Sequence, residues 1–164
     1  MVERNYVYDV YILNYSGIPL YGACTGSKFC QQNQNQHALH CGFFAALKSF
    51  CEEAFNQREI QLIEMPDIQV YLMAEPATAV MIAGVYPKSM KSRKPKRQIE
   101  AIMTRFIKKY ADRLKPSTYV EDVFAGFTDD LVDLGIVPNR SVLMTRDVQF
   151  DKENQRINMP SLPE

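Results

Sequence analysis

Hydrophobic and polar positions follow two periods along this chain, and the switches between them lay out its elements. The longest apolar stretch is Ala77–Tyr86, closed by Pro87. It is too short for a bilayer, and a strand apolar on both pleat faces needs cover on both sides. It is therefore expected to be the central strand of a sheet held between helices. Tyr6–Leu13 is β-branched and aromatic, and Pro19–Thr25 is a shorter, weaker run. Turn residues around Gly17 join the two, so they read as a hairpin. Glu59–Glu64 alternates loosely, and Ile68–Ala74 is more apolar. With Ala77–Tyr86 these runs suggest an antiparallel meander passing from an exposed edge to a covered centre.

From His37 to Phe55 the period becomes helical. Leu39, Phe43, Leu47, Phe50 and Ala54 mark one stripe, widened by Phe44, Ala46 and Cys51, of the kind that faces a core. Lys48, Glu52 and Glu53 fall off it. A second helix starts near Pro95, with a stripe of Ile99, Ile102, Met103, Phe106, Ile107, Tyr110 and Leu114, and ends at Lys115–Pro116. Ser117 and Thr118 can cap a third, striped by Val120, Val123, Phe124, Phe127, Leu131 and Leu134 and stopped by Gly135. Residues 26–36 read as a loop. Residues 1–138 are expected to form a single domain and 139–164 a polar C-terminal tail, with a short strand at Ser141–Met144. No internal repeat or linker interrupts the order.

Composition adds bounds. The 164 residues suffice for a core without staples. Basic and acidic residues number 19 each, and the zero net charge argues against a general nucleic-acid binder. No segment is apolar for long enough to span a membrane, and the first residues lack the features of a signal peptide. Cys24, Cys30, Cys41 and Cys51 are accordingly expected reduced in a cytoplasm.

The order strand, strand, helix, three strands, helix, helix, with Asn14–Tyr21 at the first turn, resembles the longin-like fold. The segments Ile99–Phe106 and Val120–Leu131 are similar to the second and third longin helices of adaptor small chains. Roadblock domains are a close relative, although they usually begin with a helix. The resemblance covers about residues 6–137. It implies an α+β, longin- or profilin-like fold: a five-stranded antiparallel sheet in the order 2-1-5-4-3, with one helix on one face and two on the other. It further implies a non-catalytic adaptor or regulator that acts by protein–protein contact, as a homodimer or with a Ras-like small GTPase or a membrane-trafficking assembly.

Three sets of residues are candidates for chemistry. Cys24, Cys30, His37, His40 and Cys41 could hold a small ligand or a metal in a sensor domain, but they lack the paired Cys-x2-Cys spacing of strong zinc sites. Ordinary packing and capping explain them as well, and no metal or other cofactor is expected. Cys30 with His37 or His40, oriented by Asn33 or Asn35, would make a cysteine hydrolase, which needs a thiolate and a base that nothing here fixes in place. The seven glycines are scattered and form no phosphate loop. The most unusual surface feature is the run Lys88, Lys91, Arg93, Lys94, Lys96 and Arg97. Such a run is usually a solvated loop. It also suits an acidic partner or weak, peripheral contact with an anionic membrane.

Overall fold

The chain is described by a computed structural model covering residues 6–25, 37–57, 59–114, 123–137 and 144–145. A hairpin comes first, β1 (Asp9–Asn14) and β2 (Pro19–Cys24), turned at Gly17, whose φ of 84° favours glycine. Helix α1 (His37–Phe55) follows, then β3 (Leu62–Glu64), β4 (Ile68–Glu75) and β5 (Val80–Pro87). Helix α2 (Arg93–Tyr110) runs into a short 3-10 turn, Ala111–Arg113. A seven-residue helix, α3 (Phe127–Asp133), and a two-residue strand, β6 (Met144–Thr145), complete the order.

All strand pairs are antiparallel, and the sheet order is β3-β4-β5-β1-β2-β6. Its first five members reproduce the 2-1-5-4-3 order that the longin-like resemblance implies. β6 extends the sheet beyond β2, pairing Thr145 with Ala23 and Met144 with Cys24. The rest of the expected strand at Ser141–Met144 lies outside the described residues. β5 is buried along its whole length, as the apolar run demands.

Alternate residues of β5 feed two cores. Val80, Ile82 and Tyr86 join Ile99, Ile102, Phe106, Phe127 and Leu131 of α2 and α3. Met81, Ala83 and Val85 join Tyr11, Leu13 and the α1 residues Cys41, Phe44 and Ala45. One helix thus covers one face of the sheet and two cover the other. Gly84 sits mid-sheet between Val10 and Tyr71. A Cβ there would come within 2.7 Å of both Ile99 Cδ1 and the Tyr86 ring, so its absence lets α2 pack closely. Asp130 of α3 ties the two helices by accepting hydrogen bonds from Arg105 Nη1 at 3.2 Å and from Lys109 Nζ.

The boundaries differ from the sequence reading in five places. β3 is confined to Leu62–Glu64, and Glu59–Gln61, expected to begin it, are not strand. Residues 77–79 are a turn and not the start of the central strand. The Glu75 carboxylate accepts the Ala77 N–H at 3.3 Å and the Thr78 N–H at 2.8 Å, and Ala79 takes φ 54°. β1 begins at Asp9, three residues later than the pattern suggests, and Val7, though buried, lies before it. Helix α2 ends at Tyr110, and Leu114 is buried from beyond the 3-10 turn. The third helix is short: residues 123–126 form a turn that places Phe124 in the core. The Ser117–Thr118 cap and Val120 lie outside the described residues.

Candidate functional site

Helix α1 is apolar almost all the way round, so two of its stripes compete for the sheet. The one that wins is built largely of small residues: Cys41 and Ala45 with Phe44, all buried. The stripe of largest side chains is turned outward, which corrects its assignment to the core. Leu39 is 68% exposed, Phe43 50%, Phe50 56% and Phe55, near the helix end, 62%, with Ala46 and Ala54 also exposed. At 100° per residue Leu39, Phe43, Ala46, Phe50 and Ala54 centre about 170° from Cys41, Phe44 and Ala45 and run for roughly 22 Å, while Phe55 is exposed by its place at the helix end.

The choice of face has a local cause. The hairpin turn presses on α1 at Gly17, where a Cβ would stand 3.3 Å from Ala45 Cβ and 3.3 Å from Gly42 Cα. Only small residues fit beneath that turn. Lys48, expected outside, lies on the inner side: its Nζ sits 4.1 Å from the centre of the Tyr15 ring and pairs with Glu52 at 2.7 Å. A lysine stem packs well on apolar surface while its ammonium finds such partners. Phe50 and Phe55 meet edge to face, with ring centroids 5.7 Å apart, and Phe43 contacts Phe44 at 5.6 Å. Phe50 and Phe55 thus form one exposed aromatic pair, with Phe43 two turns before Phe50 on the outward row.

Three exposed phenylalanines and a leucine amount to roughly 400 Å² of mostly apolar surface. The largest apolar patch of an ordinary monomer is about 300–600 Å² and is often functional. One side of a standard protein interface is about 800 Å² with a polar rim, so the row could supply the apolar centre of one. Glu52, Glu53 and Ser49 are exposed on the same helix and could supply part of the rim.

The basic run forms a second surface at the start of α2, on the opposite face of the sheet, and the fold divides it. Lys88 pairs with Glu64 at 3.2 Å. Lys96 lines a cleft of about 290 Å³ beside Glu59, Glu100 and Ile99. Lys91, Arg93, Lys94 and Arg97 instead gather round a concavity of about 600 Å³, together with Ser89, Met90 and Gln98. All four basic residues are exposed, whereas Met90 and Pro95 are buried. The first turn of α2 carries no acidic residue.

Of the cysteine and histidine candidates, Cys24, His40 and Cys41 have described side chains. Cys24 and Cys41 are buried. Burial pushes the Cys41 thiol from 9.0 up to about 12, which leaves no thiolate at neutral pH. His40 Nδ1 stands 2.9 Å from Tyr11 Oη, which also reaches Asp9 Oδ2 at 3.2 Å. Cys30, Asn33, Asn35 and the His37 side chain lie outside the described residues. Among the described residues no three His, Cys, Asp or Glu side chains stand together as metal ligands. No described helix is long and apolar enough to cross a membrane.

No protein-family profile matches this sequence, and neither does any curated protein. Among solved structures, the Roadblock/LC7 domain from Streptomyces avermitilis is similar in backbone shape. The match has a TM-score of 0.46 at 9% sequence identity and covers 65% of this chain and 86% of that one. A likeness of that depth says nothing about partners or chemistry.

Proposed function

We propose that this chain is a non-catalytic adaptor-type module that works by binding another protein through the outward face of α1. The observation that carries this reading is the row Leu39, Phe43 and Phe50 with Phe55, large apolar side chains held in water on an otherwise well-packed domain. Aromatic side chains of this kind are the usual anchors of protein interfaces. The longin-like resemblance suggests the occupants: a second copy of the chain, a Ras-like small GTPase, or a component of a membrane-trafficking assembly. The setting that goes with this reading is a reducing cytoplasm.

The test compares wild type with Phe43→Ser/Phe50→Ser. Both positions face solvent, so the variant should keep its circular dichroism spectrum and melt within about 2 °C of wild type. Sedimentation velocity reads self-association, and capture of purified small GTPases reads a second occupant. Each phenylalanine contributes roughly 100 Å² of burial, or about 2.5 kcal/mol, to a contact that covers it. The expected result is loss of whichever association the wild type shows. A folded variant that associates as tightly as wild type overturns the reading.

A further inference from the structure

We infer that Lys91, Arg93, Lys94 and Arg97 form a docking face for an anionic lipid surface. The four side chains surround one concavity at the β5–α2 corner, and all four are exposed. The face is narrower than the sequence run, because neither Lys88 nor Lys96 lines that concavity.

The composition of the patch selects the partner. Protein interfaces depend on a few large side chains seated in pockets at their centre. Here the nearby apolar residues, Met90 and Pro95, are buried, and every exposed large side chain is cationic. Such a surface presents cationic heads on aliphatic stems with no exposed apolar residue among them, which suits the laterally mobile phosphates of a bilayer better than a fixed acidic protein. The aromatic row of α1 has the reverse character. The two surfaces lie on opposite faces of the sheet, so lipid contact at α2 leaves the outward face of α1 free. The inference does not depend on that face having a partner.

Each basic residue beside an anionic bilayer strengthens partitioning about fivefold, so four together are worth roughly 600-fold. Exposed charges act over a Debye length of about 8 Å at 0.15 M salt, so binding should fall steeply as salt rises. The experiment is cosedimentation of the full chain with phosphatidylcholine vesicles, with and without 30% phosphatidylserine, at about 0.05, 0.15 and 0.5 M salt. It is repeated with Lys91→Gln/Arg93→Gln/Lys94→Gln/Arg97→Gln, and with Lys108→Gln/Arg113→Gln as a control for bulk charge.

Wild type and the control should bind phosphatidylserine vesicles at low salt and neither should bind pure phosphatidylcholine. The fourfold variant should lose roughly 600-fold while keeping its melting temperature. Absence of wild-type binding at the lowest salt overturns the inference. So does equal binding by the fourfold variant, or an equal loss in the control. Capture of a polyglutamate peptide without vesicle binding would assign the face to an acidic polypeptide instead and also overturn it.

Discussion

The contact between Gly84 and Ile99 offers a test of the packing that leaves every surface residue in place. In Gly84→Ala the new methyl group would meet Ile99 Cδ1 and the Tyr86 ring, each at 2.7 Å, far inside van der Waals contact. Tyr86 is fully buried with its ring edge on to Tyr71, so it has little freedom to retreat. Overpacking of this kind costs about 1–3 kcal/mol, or roughly 2–4 °C of melting temperature per kcal/mol at this chain length. Ile99→Val removes Cδ1, the atom in the way, and alone should cost about 0.5–1.5 kcal/mol. The double variant should be less destabilised than the two single costs together, with a coupling of at least about 0.5 kcal/mol. Urea denaturation of the four proteins measures this directly. Additivity would show that α2 does not seat Ile99 against the middle of β5, and the account of that core would fail.

Two further outcomes follow from the same cores. Ile82→Asp places an unpaired carboxylate on a fully buried strand position and should abolish cooperative unfolding in circular dichroism; a folded variant would remove β5 from the centre. Burial raises the Cys41 thiol from 9.0 to about 12 and the Tyr21 hydroxyl from 10.0 to about 12. The fold therefore holds both protons more tightly than the unfolded chain does, so their stabilisation is whole below pH 9 and is lost as pH rises towards 12. Denaturation midpoints should fall from about pH 9 upward, and Cys41→Ala should flatten the first part of that fall; an unchanged profile would refute the assignment.

Most of the fold was readable because its signals are strong and local. The apolar run ending at Pro87 specifies a strand covered on both faces, and the helical period from His37 to Phe55 coincides with α1 residue for residue. The orientation of α1 was not readable. Periodicity gives most weight to the largest side chains, and on this helix those are Leu39, Phe43 and Phe50. The inner face was decided by the close approach of Gly17, a tertiary fact that favours Ala45 and Cys41. The turn at Ala77–Ala79 escaped notice for a related reason: its residues look strand-like, and the Glu75 carboxylate that folds them lies just outside the run. The basic residues were visible as a group. That Lys88 and Lys96 belong to other neighbourhoods required the third dimension.

The small-residue seat of α1 also bears on how the molecule breathes. Of the described helices it is the one lying on its side of the sheet, joined there by Cys41, Phe44, Ala45 and the Tyr11–His40 hydrogen bond. Native-state hydrogen exchange should find it lifting as a unit at a lower free energy than global unfolding, with β5 and α2 opening last. Each lifting would wet Tyr11 and Leu13. A protein that clasps Phe43 and Phe50 only when the helix is seated would touch neither residue, yet by mass action it would make the lifting rarer. Slower exchange in the β1 amides beneath would then report occupancy on the far side of the helix.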